Sequence, residues 1–157
     1  MALSRDLKEF LSLLVEHEVK FMLVGAYAVA VHGYARNTED IDFWIDRDEA
    51  NAVRVLNVLS EFGFGDIGFT SADLLDPKAV LQMGRAPNRI DLLTFLTGVD
   101  FASCYANRFE CEFEGLPIAV IGLDDLLRNK RATARPKDLI DVAEFEKSQK
   151  FGMKPDA

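Results

Sequence analysis

The sequence predicts one mixed α/β domain, in which helices flank a twisted sheet of mixed strand direction and a helical segment follows at the C-terminal end. Segments with helical apolar periodicity alternate with short apolar runs that are rich in strand formers. No Gly/Ser/Pro-rich linker divides the chain, and 157 residues suffice to bury one core but not two. We therefore expect a single domain over residues 1–150 and a disordered tail over residues 151–157.

Each element follows from a local pattern. Helical periodicity covers residues 4–18, 26–32, 48–62, 123–134 and 136–149, and strand-like patterns cover residues 20–24, 40–46, 79–83, 89–95, 109–113 and 117–121. Ser4 suits the N-cap of the first helix, Gly63 suits the end of the third, and Pro136 suits the first position of the last. Turn residues at 84–88 and 114–115 predict two hairpins, and residues 63–77 are expected to form a loop.

Charge, apolar content and cysteine spacing exclude several classes of protein. The net charge is −8, which argues against the broad basic surface that duplex DNA requires. The apolar runs are too short to cross a bilayer and no signal peptide is evident, so we expect no membrane association and a cytoplasmic location. Cys104 and Cys111 lack the spacing of a metal site and are expected to be reduced cysteines in or beside a strand.

One segment departs from the acidic average. Residues 128–137 contain five basic residues in ten. Such a concentration is compatible with a surface that faces phosphate, and equally with a solvated helix end and turn.

Three acids carry the strongest chemical signal. Asp40 and Asp42 lie two apart on a predicted strand, so their carboxylates point to the same face. Two adjacent carboxylates repel each other, and a divalent cation with a preference for oxygen ligands removes that conflict. If Asp91 faces the same way on a neighbouring strand, three carboxylates converge. Such a cluster suits two magnesium ions that clamp an in-line displacement at phosphorus.

The preceding turn supplies a candidate phosphate site. Gly25 follows a short strand and allows a phosphate to approach the backbone, and the next helix offers N–H groups from Ala26 onward. Arg36 and Thr38 lie in the loop before the acids, where they are expected to add donors to a triphosphate. Each feature also has an ordinary structural explanation: a turn glycine, a loop arginine, a strand cap and a common Asp-x-Asp pair. The ordered combination is more specific than its parts.

Two further residues have competing explanations. His32 ends a short helix, where a hydrogen bond to the backbone is favoured over a role as general base. Trp44 shares the strand parity of Asp40 and Asp42. It is therefore expected either to line their pocket and stack on a nucleobase or to pack at the sheet edge.

These motifs resemble those of the nucleotidyltransferase superfamily of the DNA polymerase beta type. That family has an apolar strand followed by Gly-Gly or Gly-Ser, then an apolar-flanked Asp-x-Asp, and a third acid on a later strand. Residues 21–42 look most like the small bacterial branch associated with abortive-infection and toxin–antitoxin systems. Residues 126–141 are similar to the C-terminal helical segment of that branch, so the resemblance covers about residues 19–145.

The resemblance implies a nucleotidyltransferase fold and a magnesium-dependent enzyme. Such an enzyme transfers a nucleoside monophosphate from a nucleoside triphosphate to a hydroxyl on protein or RNA, with a toxin or antitoxin as a possible partner. It assigns metal binding and catalysis to Asp40, Asp42 and Asp91, and nucleotide binding to Gly25, Ala26, Arg36, Thr38, Lys130 and Arg135. It implies that Asp138 orders the basic segment rather than contacting metal.

The sequence also leaves room for other functions. Ala26 stands where the family has Gly or Ser, and we expect weaker triphosphate binding from that departure. A catalytically degenerate module that binds a partner protein is the main alternative, favoured by the short chain and disfavoured by the intact acidic triad. A structural domain with accidental motifs is the third.

Overall fold

The computed structural model describes the backbone of residues 3–34 and 38–150 and the side chains up to residue 148. Its helices are α1 (Arg5–Glu16), α2 (Gly25–Val31), α3 (Glu49–Phe62), α4 (Ser71–Leu75), α5 (Phe101–Ala106), α6 (Leu123–Thr133) and α7 (Pro136–Lys150). Its strands are β1 (Phe21–Val24), β2 (Asp40–Ile45), β3 (Val80–Met83), β4 (Arg89–Leu93), β5 (Phe109–Phe113) and β6 (Leu116–Val120). Arg36 and the predicted tail, residues 151–157, lie outside the described residues.

The six strands form one mixed sheet in the order β3-β4-β2-β1-β6-β5. The β1–β2, β3–β4 and β5–β6 pairs are antiparallel, whereas β1–β6 and β2–β4 are parallel. This architecture confirms the predicted mixed α/β fold with a central sheet and flanking helices. Both predicted hairpins are present, as β3–β4 and β5–β6.

A dense aromatic core covers one face of the central strands. Phe10 of α1 is fully buried and stacks on Phe43 of β2, with ring centroids 5.9 Å apart. Phe21 of β1 meets the same ring edge-on at 5.5 Å. Because side chains alternate along a strand, the face that holds Phe43 is opposite to the face that holds Asp42. Packing on the aromatic face therefore fixes β1 and β2, and the acids of β2 lie on the opposite face.

Local capping sets the helix ends much as the sequence predicts. The Ser4 hydroxyl accepts a hydrogen bond from the Leu7 amide at 3.3 Å and so begins α1. Gly63 ends α3 in the left-handed conformation, with φ +100°. Pro136 is the first residue of α7.

Two short helices were not predicted. Residues 63–77 contain a 3₁₀ turn and α4, which a reciprocal capping box between Thr70 and Asp73 begins. Asp100 caps α5 by accepting from the Ser103 amide at 3.1 Å. Consequently Cys104 lies in a helix rather than on a strand, while Cys111 lies on β5. Both cysteines are free.

Within the described ranges, no helix combines the length and the apolar character needed to cross a membrane.

Candidate active site

The register of the central strands brings the three predicted acids together. Asp42 of β2 lies opposite Val24 of β1 on one side and Asp91 of β4 on the other. Asp40 lies two residues before Asp42 and shares its face. One carboxylate oxygen from each of Asp40, Asp42 and Asp91 lies within 4.8 Å of the other two.

Burial and mutual repulsion make this cluster electrostatically costly. Burial, and then the charges of Asp40 and Asp91, raise the pKa of Asp42 to about 8. Burial also raises the pKa of Asp91, although Arg89 opposes that effect. At neutral pH the middle carboxyl is therefore largely protonated unless a cation offsets the three charges.

Gly25 makes room for the middle carboxylate. It begins α2 with φ +69°, in the left-handed region, and a Cβ at this position would lie 2.1 Å from Oδ2 of Asp42. Any larger residue would therefore displace the carboxylate or the backbone. The cluster consists only of oxygen donors, which are the ligands that a hard divalent cation such as Mg²⁺ prefers. The residues present thus fit a magnesium site.

Thr38 orders the start of β2 beside the cluster. Its hydroxyl lies 2.9 Å from the carbonyl oxygen of Asp40 and 3.3 Å from a carboxylate oxygen of the same residue. This contact is the strand cap that the sequence offered as the ordinary explanation for Thr38. It also limits the positions that the Asp40 carboxylate can adopt.

Arg89 is a residue of the cluster to which the sequence gave no role. Its Nε and Nη2 atoms each lie 3.1 Å from a carboxylate oxygen of Asp91, and Nη2 lies 3.2 Å from Oδ2 of Asp40. Arg89 pairs in register with Asp40 across β2 and β4. A signal was available, because Arg89 and Asp91 lie two apart on the same predicted strand and therefore share a face.

The cluster opens onto a cleft of about 1130 Å³ between the sheet and α6–α7. Every predicted site residue among the described ones contributes to its lining: Gly25, Ala26, Thr38, Asp40, Asp42, Asp91, Lys130 and Arg135. Leu93, Phe95 and Leu96 add an apolar section to the same wall. The cleft therefore combines an acidic floor, basic residues from the C-terminal helices and an apolar surface.

The basic segment is largely neutralised by acids of this chain. Lys130 is 4% exposed, and its Nζ lies 3.2 Å from Asp138 Oδ1 and 2.9 Å from Asp141 Oδ2. Arg135 contacts Asp138 through Nε at 2.6 Å. Burial disfavours the Asp138 anion, but hydrogen bonds from Arg135, Thr133 and Lys130 outweigh it and hold its pKa well below the usual range. Asp138 thus orders the basic segment through direct contacts.

The remaining basic residues of segment 128–137 lie in two environments, the solvated helix surface and the cleft. Arg128 pairs with Asp125 at 2.6 Å and Arg131 with Glu146 at 2.8 Å, and both arginines are more than half exposed. They form a solvated helix surface. Lys137 instead contributes to the cleft lining together with Lys130 and Arg135.

His32 and Trp44 take structural positions. His32 is buried, and its Nε2 lies 2.7 Å from the carbonyl oxygen of Ile121. Burial lowers its pKa, which keeps the ring neutral. Trp44 is 2% exposed and packs edge-on against Phe101 of α5, with ring centroids 5.2 Å apart. The indole is thus part of the packing between the sheet and α5.

The fold was compared with those of known proteins. Neither a family model nor a curated protein matches the sequence. The crystal structure of a “putative nucleotidyltransferase” from Thermotoga maritima matches the chain with a TM-score of 0.54. The match covers 94% of this chain and 90% of the other, at 19% sequence identity. The chain has a nucleotidyltransferase-like fold.

At 19% identity the comparison establishes architecture alone. The resemblance to an abortive-infection or toxin–antitoxin branch, and the roles of the individual cleft residues, remain predictions.

Proposed function

We propose that the chain transfers a nucleoside monophosphate from a nucleoside triphosphate to a hydroxyl group on protein or RNA and releases pyrophosphate. The observation that carries this proposal is the convergence of Asp40, Asp42 and Asp91 at the floor of a large cleft. Two half-buried carboxylates, Asp40 and Asp42, and the buried carboxylate of Asp91 are costly to bring together, and binding of cationic ligands offsets that cost.

The donor set suits magnesium, and a two-metal site is the arrangement we favour. Bound Mg²⁺ would neutralise phosphate oxygens and polarise the α-phosphate. Asp40 and Asp42 would hold the cations together with Asp91, which would also accept the proton of the attacking hydroxyl. The acceptor oxygen forms a bond to the α-phosphorus as the bond between that phosphorus and the pyrophosphate oxygen breaks.

The cleft walls offer groups for the rest of the nucleotide. Gly25 and Ala26 line the cleft beside the acids, where their backbone would lie along the triphosphate. Lys130 and Arg135 line the same cleft and would add positive charge near the phosphates. Thr38 would act indirectly, by holding Asp40, and Arg36 is retained in the proposal on its sequence position alone.

Labelled nucleotides test the reaction class directly. Wild-type protein would be incubated with α-³²P- and γ-³²P-labelled ATP, GTP, CTP and UTP, Mg²⁺, and either total RNA or a protein extract. We expect metal-dependent transfer of the α-label only, since phosphoryl transfer would move the γ-label. Asp42→Asn should abolish labelling, and Glu112→Gln, an exposed carboxylate on β5, should retain it. Absence of metal-dependent binding of all four triphosphates would refute the active-site assignment.

A module that binds a partner protein remains the second candidate. The internal pairing of Lys130, Arg131 and Arg135 favours it, because paired cations are less available for phosphate. Nucleotide binding without transfer to either acceptor class would support this function. A toxin–antitoxin or phage-defence setting in the cytoplasm is the context that we propose for both candidates.

A further inference from the structure

Arg89 contacts the acid cluster directly through its guanidinium group. Its guanidinium makes a two-pronged contact with Asp91, at 3.1 Å for each prong, and reaches Asp40 with a third contact at 3.2 Å. The two outer carboxylates are thus held by one side chain. Forked contacts of this kind are among the strongest hydrogen bonds available to a carboxylate.

The same oxygens are the ones that a divalent cation needs. Magnesium binds oxygen ligands at about 2.0–2.1 Å, so an ion on Asp40 and Asp91 would lie close to the guanidinium nitrogens that now contact them. Two positive charges at that separation repel strongly in a partly buried site. The arginine and the cation therefore compete for the same carboxylates.

The position of Arg89 in the cleft offers its guanidinium group a second anionic partner. Its side chain is 38% exposed, and it lines the cleft in which the triphosphate is proposed to bind. A guanidinium fork matches phosphate oxygens as well as it matches a carboxylate. A metal–triphosphate complex would accordingly displace Arg89 from the acids and offer it a new anionic partner, whereas a free cation would displace it and leave it without one.

We propose that Arg89 is a displaceable counter-ion, which holds Asp40 and Asp91 in the metal-free protein and turns to the phosphates when a metal–nucleoside triphosphate complex binds. This inference rests on the proposed function for the identity of the phosphate ligand. It makes binding of cation and nucleotide cooperative, because each ligand improves the site for the other by the same factor. It also makes Arg89 a positioning residue that disfavours free divalent cations.

Binding of Mn²⁺, measured alone and with a triphosphate that has a methylene bridge between the α- and β-phosphorus atoms, tests the proposal. In Arg89→Gln, Mn²⁺ alone should bind about tenfold tighter than in the wild type, and the cooperativity factor should fall by about tenfold. Arg85→Gln is the matched control, because Arg85 is exposed in the β3–β4 turn and should leave both values unchanged. Circular dichroism establishes that each variant is folded.

Several outcomes would overturn the proposal. Unchanged or weaker Mn²⁺ binding in Arg89→Gln would mean that Arg89 only supports the carboxylates as a cross-strand partner. If Arg89→Gln does not fold, Arg89→Lys replaces it, because lysine retains the charge without the forked contact. Arg89→Lys should bind Mn²⁺ roughly two- to threefold tighter than the wild type. Failure of the wild type to bind the triphosphate analogue with Mn²⁺ would refute the proposed function. The Mn²⁺-only comparison would still decide the role of Arg89.

The wild-type protein provides a test that needs no variant. The ¹⁵N-resolved Nε–H signal of Arg89 should shift on addition of Mg²⁺ together with the analogue. A signal that is identical in the metal-free and the doubly liganded protein would show that the guanidinium stays on Asp91, which contradicts the displacement.

Discussion

Replacement of Asp42 by asparagine should stabilise the metal-free protein, and the gain should grow with pH. Asparagine has nearly the shape of the protonated acid and cannot ionise. In the folded protein the pKa of Asp42 is raised from 3.8 to about 8, with burial as the first cause and the two neighbouring aspartates as the second. The folded state therefore retains a proton that the unfolded chain releases. The contribution of Asp42 to stability is therefore most favourable below pH 4 and is lost progressively as the pH rises towards 8.

The size of the stability gain follows from the difference between the pKa values of Asp42 in the folded and the unfolded state. Each tenfold difference in proton affinity corresponds to about 1.36 kcal/mol, so the full interval sets an upper bound of roughly 5–6 kcal/mol at pH 8. Asp40 and Asp91 share the repulsion with Asp42, which reduces the expected gain between pH 4.5 and pH 8 to about 2–3 kcal/mol. For a chain of this length such a gain raises Tm by about 5–10 °C.

Thermal unfolding followed by circular dichroism measures this gain. Wild type, Asp42→Asn and the exposed control Glu112→Gln would be compared at pH 4.5 and pH 8 with a chelator, and again with Mg²⁺. Wild type and Asp42→Asn share every titrating group except Asp42, so the difference between them isolates Asp42, and Glu112→Gln shows the effect of removing an exposed carboxyl. We expect Mg²⁺ to stabilise the wild type at pH 8 and to have little effect on Asp42→Asn. An Asp42→Asn effect that does not vary with pH would refute the reasoning.

Two further substitutions, each with a matched control, test the supports of the site by urea unfolding. Gly25→Ala introduces a Cβ that meets Asp42 at a left-handed position and should cost about 3 kcal/mol, together with loss of Mn²⁺ binding. Gly115→Ala has a similar φ of +84° with no neighbour within 4 Å, so it should cost only about 1 kcal/mol; equal costs would contradict the steric argument. Lys130→Met leaves Asp138 without its buried cation and should cost about 3–5 kcal/mol. Arg131→Met removes an exposed pair and should cost less than about 1 kcal/mol; a Lys130→Met cost as small as this would show that the buried pair is unimportant.

Strand periodicity was the most informative feature of the sequence. Asp40 and Asp42 alternate with apolar residues, which predicts both the strand and the shared face of the two acids. The structure adds what periodicity cannot contain, namely that β2 and β4 are neighbours and that Asp40 is paired in register with Arg89. Strand pairing depends on tertiary packing, and the counter-ion was therefore missed although its parity was visible.

Local sequence patterns did not predict the two short helices or the burial of Trp44. Helices α4 and α5 have five and six residues, too few to show a full apolar stripe. Their capping residues, Thr70 and Asp100, were the available signals. The parity of Trp44 correctly places it on the face of the acids, but Phe101 of α5 covers it there. A helix that periodicity did not detect thus decides whether a side chain lines the cleft or belongs to the core.

Ala26 stands where the nucleotidyltransferase superfamily has Gly or Ser, and its position in the structure shows what this difference affects. Of the two small residues in the motif, Gly25 is the one that the carboxylate cluster requires, since a Cβ there would meet Oδ2 of Asp42 at 2.1 Å. Ala26 already carries a Cβ within α2 and lines the cleft, so the fold accommodates it. Ala26 therefore leaves intact the acid cluster and the cation site that we propose for it. For the nucleotide that we propose as ligand, the methyl group of Ala26 would limit how closely a phosphate approaches the backbone, while the Ala26 amide itself is retained.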